Sequence, residues 1–145
     1  MRFEEHESEW AADCALDNNN LHREALKIPQ LHAKWTKRLN DERRALHAYK
    51  LKMQELENVL EGYYSRTLTM QEMEKYGMPE LPDKKILKPD LARTISSDKK
   101  MIEMKLRVGQ QSDKVDYLAD IVKAVHGRAF IIRDAIEWNK FQAGS

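Results

Sequence analysis

Seven cations, Lys34, Lys37, Arg38, Arg43, Arg44, Lys50 and Lys52, crowd the stretch KWTKRLNDERRALHAYKLK (34–52) against only Asp41 and Glu42, a local net charge of +5. Lys37 and Arg44 are one heptad apart, as are Arg43 and Lys50, so on a helix they form rows. A row of cations can follow a phosphate backbone, with an affinity that falls steeply in salt. Tyr63 and Tyr64, with Arg66 close by, could add stacking on bases. The same cations would also serve as a solvated charged face, because charged residues make up 34% of the chain.

Other chemistry finds little support. The five histidines include no pair at i,i+4 spacing and stand beside no cysteine cluster, which argues against a zinc site. Ser96-x-x-Lys99 and Ser97-x-x-Lys100 match a short nucleophile pattern that a helix cap explains. No glycine-rich phosphate loop is present, and Glu4 and Glu5 lie in acidic sequence that suits solvent. A binding protein is expected, with no catalytic residue, metal or cofactor.

The elements that must position the cations are long helices. From Leu21 to Tyr64, a seam of Ile28, His32, Trp35, Leu39, Glu42, Leu46, Tyr49, Met53, Leu56, Leu60 and Tyr63 advances by steps of four and three. A second seam runs through Met101, Met104, Val108, Gln111, Val115, Leu118, Val122, Val125, Ala129, Ile132 and Ile136, with Ser96 or Ser97 as its helix cap and Asp98 in the first turn. Between them, Thr69 and Glu72 form a capping box for a short helix that Gly77 can close. MPELPDKKILKPDL follows, with prolines that forbid a continuous helix.

Residues 1–24 are acidic, with Trp10 and Leu16 as a small apolar face. They suit one short helix ending before the break at Asp17-Asn18-Asn19-Asn20. The acidic stretch and Trp10 suit docking by a protein partner. The expected organisation is therefore an acidic N-terminal segment (1–24), a long helix with a basic DNA-binding face (25–64), a connector with a short helix (65–95), and a C-terminal oligomerisation helix (96–145).

A further stripe runs beside the second seam: Tyr117, Ile121, Ala124, Arg128, Ile131, Ala135 and Trp138. At roughly 100° per residue the two stripes lie about 110° apart around the helix. One stripe can pack on the first long helix, and the other needs a neighbouring chain to cover it. Val115, Tyr117, Leu118, Ile121, Val122, Val125, Phe130, Ile131, Ile132, Ile136 and Trp138 are thus the candidate oligomerisation residues. Two sticky edges repeated around an axis close a ring. The fold class is all-α: two long coiled-coil-type helices joined by a loop with a short helix, assembled into a ring-like homo-oligomeric helical barrel. Arg128, Arg133 and Lys140 are expected to pair with Asp120, Asp134 and Glu137.

The bulk composition agrees. A length of 145 residues suits one domain. A net charge of +1 advertises no overall field, so any nucleic-acid affinity must be local. One cysteine, Cys14, suits a reducing compartment. No signal-peptide pattern or long apolar run occurs, which predicts a soluble intracellular protein with no membrane partner.

Several peptides resemble the UvsY recombination mediator family of T4-like bacteriophages. They are Tyr63-Tyr64-Ser65, Lys85-Ile86-Leu87-Lys88, Ser97-Asp98-Lys99, Arg128-x-Phe130, Ala135-Ile136-Glu137-Trp138 and Lys140-Phe141, and the likeness covers nearly the whole chain. The resemblance implies a helical, ring-forming, non-enzymatic protein, a hexamer or heptamer, in the host cytoplasm. It implies binding of single-stranded DNA and help to a RecA-like recombinase in displacing the single-stranded-DNA-binding protein. Assembly would fall to the C-terminal part and DNA to the N-terminal arm. Asn58 and Leu60 stand where family members carry basic residues, which moves the expected DNA contact to Lys34–Lys52. Arg128-Ala129-Phe130 replaces the family's Arg-Gly-Phe, and Ala129 keeps the seam small. The alternative from another class is a non-catalytic coiled-coil adaptor whose charges only keep it soluble.

Overall fold

Asp17 turns the chain between its first two helices: its carboxylate accepts from the Asn19 amide at 2.9 Å and the Asn20 side chain at 2.7 Å. These bonds hold its pKa below the usual carboxylate value, the Asn20 contact contributing most. In the computed structural model, which describes residues 1–79 and 86–144, the turn separates α1 (Phe3–Asp13) from α2 (Leu21–Leu26). The region 1–24 thus holds one complete helix and the start of a second. After a single turn residue, α3 (Ile28–Tyr64) begins, with Pro29 in its first turn, where a missing N–H leaves no bond unmade. The other long helix is α6 (Lys99–Gln142), and no strand occurs among the described residues.

The chain divides into two compact units, Met1–Arg44 with Ser112–Ser145, and Ala45–Gln111. In the first, α3 and α6 run antiparallel: His32 meets His126, and ten residues later Glu42 meets Lys114. Trp35, Leu39, Val115, Leu118, Val125 and Ile132 of the two seams are buried, as the heptad spacing requires. Helix α1 packs here through Phe3 against Tyr117, with ring centroids 5.0 Å apart, and through Trp10 edge-on to Trp35 at 5.7 Å. His6 is buried, and its Nε2 lies 3.3 Å from Glu42, the polar residue of the seam. Burial raises the Tyr117 pKa.

Arg128 departs from expectation. Its guanidinium is 5% exposed, donates to the carbonyls of Cys14 and Ala15 at 3.2 and 3.0 Å, and pairs with Glu24 at 3.2 Å. It was expected to find Asp120, Asp134 or Glu137, but those lie on its own helix. The α1–α2 loop offers carbonyls and a buried carboxylate in a single fork, which suits a planar guanidinium. A hydrogen bond from Lys27, opposed by burial and helped by Arg128, lowers the Glu24 pKa.

In the second unit, Leu60, Ile95 and Met101 form the core, with Met53, Leu56, Tyr64, Met78 and Leu91 against it. Helix α3 ends in a reversal in which the Thr67 and Arg66 amides donate to the Gly62 and Tyr63 carbonyls. Arg66 takes φ 60°, a left-handed conformation that costs a non-glycine residue about 1 kcal/mol. Gly62 permits the return: a Cβ there would sit 2.9 Å from Leu68 Cδ2.

The short helix α4 (Met70–Lys75) is capped as expected, the Thr69 hydroxyl accepting from the Glu72 amide at 3.1 Å and Gly77 closing it at φ 63°. The connection also contains a second helix, α5 (Lys88–Ser97), which the prolines had argued against. Pro89 lies in its first turn, where proline starts a helix rather than breaking one. Ser97 therefore ends α5, and Asp98, accepting from the Lys100 amide at 2.8 Å, caps α6 in place of Ser96 or Ser97. Pro82 and Lys85 lie outside the described residues.

Candidate nucleic-acid interface

The ten candidate DNA-contacting residues fall in both units: Lys34, Lys37, Arg38, Arg43 and Arg44 in the first, Lys50, Lys52, Tyr63, Tyr64 and Arg66 in the second. Helix α3 brings the first five together, and much of their charge is already engaged. Lys34 reaches Asp13 at 2.6 Å and Glu9 at 3.0 Å, and Arg38 reaches Glu9 at 2.6 Å. Hydrogen bonds from Lys34 and then Arg38 hold the Glu9 carboxyl below its usual pKa, and burial, which would lower the Lys34 pKa, is outweighed by Asp13 and Glu9 together, so that pKa is raised. Arg38 also lies 4.9 Å over the Trp35 ring. The acidic face of α1, which suited a docking partner, thus turns Glu9 and Asp13 onto its own chain.

On the outer side, Lys37 and Arg44 share Asp41 at 2.9 and 3.3 Å. Arg43 has no ion pair among the described residues. It lines an open groove of about 430 Å³ between α3 and α6, together with His32, Asn40, Asp120, Lys123 and His126. Leu39 and Val122 supply its apolar floor. The His32 and His126 rings meet across it with Nε2 atoms 3.2 Å apart.

In the second unit, Lys50 and Lys52 are exposed, and Lys52 lies 5.9 Å from the Tyr49 ring centre. Tyr63 is 8% exposed and packs edge-on to Tyr64. The Tyr64 hydroxyl donates to Asp98 at 2.6 Å, and burial, with that bond, pushes its pKa up to about 12. Leu60 is 1% exposed, so a cation at that position would enter the core.

Among the candidate oligomerisation residues, Val115, Leu118, Ile121, Val125 and Ile132 are buried within the chain, and Tyr117, Val122 and Ile136 are half-buried. Phe130, Ile131 and Trp138 are exposed, together with Phe141, which stacks on Trp138 at 5.7 Å. Arg133 lies 5.0 Å over the Phe130 ring.

Sequence reasoning missed Lys123 and His126. The available signal was His32: a polar residue in an apolar seam calls for a partner on the facing helix. Among the described residues, no group of three or more His, Cys, Asp or Glu is placed to hold a metal ion. No described helix is long and apolar enough to cross a membrane.

Two long helices, antiparallel in the first unit and one of them with a basic stretch, define an all-α protein of coiled-coil type. The family model described as "Recombination, repair and ssDNA binding protein UvsY" matches residues 9–145, and the chain belongs to that family. Crystal structures of the bacteriophage T4 recombination mediator protein UvsY share the fold. One aligns with a TM-score of 0.80 at 19% identity over 99% of this chain and 98% of that one. A second aligns at 0.83 and 18% identity over 97% and 99%. No curated relative matches the chain.

Proposed function

We propose that the protein is a recombination mediator acting in the cytoplasm of a phage-infected host. It binds single-stranded DNA along the basic stretch of α3 and loads a RecA-like recombinase onto DNA covered by single-stranded-DNA-binding protein. It works without catalysis, as a homo-oligomer joined through Phe130, Ile131, Trp138 and the rest of the C-terminal stripe. The family match across residues 9–145 carries this reading. The exposed cations Lys37, Arg43, Arg44 and Lys50 support it, because a multimer would repeat them in every copy.

Fluorescence anisotropy with labelled single-stranded DNA tests it. Replacing Lys37, Arg43, Arg44 and Lys50 by Glu should weaken binding by at least about tenfold and flatten its salt dependence. Unchanged affinity would remove α3 as the DNA surface. One observation favours the adaptor alternative: Lys34, Lys37, Arg38 and Arg44 all have acidic partners within the chain. That reading requires wild-type protein to show no salt-sensitive DNA binding.

A further inference from the structure

We infer that the groove between α3 and α6 in the first unit is a nucleotide subsite for single-stranded DNA. Arg43 and Lys123 would hold a backbone phosphate there, between walls joined by the His32–His126 pair. The inference rests on the single-stranded-DNA reading above and specifies where a nucleotide enters.

Charge is the first argument. Around this groove the cations differ from their neighbours on α3. Lys34, Lys37, Arg38 and Arg44 each reach a carboxylate within 3.3 Å. Arg43 on one wall and Lys123 on the other have no ion pair among the described residues, and Asp120 is the carboxylate lining the same groove. With neutral histidines the lining carries a net charge of +1, which suits a monoanionic phosphodiester.

Shape is the second. The floor of Leu39 and Val122 is apolar, and the groove of about 430 Å³ is open to one side. An apolar floor beneath cationic walls can take a base or sugar face while the phosphate stays at the rim.

The histidines are the third. With Nε2 atoms 3.2 Å apart, one ring must donate and the other accept while the pair is neutral. The bond runs from α3 to α6 and ties the two walls of the groove together.

The test uses the full chain and fluorescein-labelled oligo(dT), with anisotropy titrations at several salt concentrations. Lys123→Glu should weaken binding about tenfold and reduce the salt slope by about one. Lys105→Glu, the same charge change on an exposed part of α6 outside the groove, should alter it less than about threefold. The double variant His32→Ala/His126→Ala, which removes the bond across the groove, should bind oligo(dT) more weakly than wild type. Equal losses in Lys123→Glu and Lys105→Glu would overturn the subsite, and so would wild-type affinity in the double histidine variant. Failure of the underlying reading looks different, because wild-type protein would then not bind oligo(dT) at all.

Discussion

The second stripe of α6 has two halves built on one period and treated differently. From Tyr117 to Arg128 its large members are covered, Tyr117 by Phe3 and Arg128 by the α1–α2 loop, with Ile121 buried and only the small Ala124 exposed. Past Arg128, Ile131 and Trp138 are 56% and 57% exposed, with Phe130 and Phe141 beside them. The spacing of apolar residues is the same in both halves, so spacing decides which residues share a face and not what lies on it. The covered half contains an arginine held by the folded-back α1–α2 loop, and the bare half contains aromatic side chains whose ring contacts come from α6 itself, Arg133 over Phe130 and Phe141 on Trp138.

The sharpest way to break this contrast is Arg128→Ala. It would leave the Glu24 carboxylate and two loop carbonyls without their shared donor. Melting followed by circular dichroism should show a drop on the order of 10 °C. Tryptophan fluorescence should report release of the N-terminal segment, because Trp10 contacts Trp35. A melting temperature within about 2 °C of wild type would mean that the Arg128 fork adds little to the other contacts that hold α1 and α2.

Next comes the bare half. Ile131→Asp with Trp138→Ala removes exposed apolar surface and should change the stability of the folded chain by only about 0.5 kcal/mol. Its effect should appear in mass: light scattering should show dissociated chains with their helical signal retained. A multimer of unchanged mass would place the subunit contact elsewhere.

The smallest effect concerns the clasp of α1 on α3. Glu9 has a depressed pKa, so its contribution is complete above the ordinary value of 4.5 and is lost as the pH falls through the lowered one. Acid titration of Trp10 and Trp35 fluorescence should therefore show a transition below pH 4.5 that Glu9→Gln diminishes. No such difference would mean that the ion pairs with Lys34 and Arg38 add nothing measurable, as is common for exposed pairs.

Both long helices were legible because their seams repeat every seven residues, and the α4 boundaries because Thr69, Glu72 and Gly77 have local jobs. Helix α5 was hidden by Pro89, whose meaning depends on whether it falls inside a helix or in its first turn. Asp98, rather than a neighbouring serine, proved to be the cap because Ser96 and Ser97 complete α5. The cation row was legible as composition, but its pairing was not. Whether Lys34 and Arg38 meet Glu9 or solvent depends on where α1 packs, a long-range contact with no local signature. Lys123 and His126 remained hidden for the same reason: only the antiparallel register of α3 and α6 sets them opposite His32 and Arg43.

The reversal after Tyr64 asks an arginine to adopt a geometry that glycine would accept at ease. It stays closed because Leu68 rests on the small residue at position 62 and two amides reach back to helix carbonyls. Such a bend stores tension like a drawn catch, and this corner should exchange its amide hydrogens sooner than either long rod. Arg66→Gly would slacken it, and the corner would then open less often.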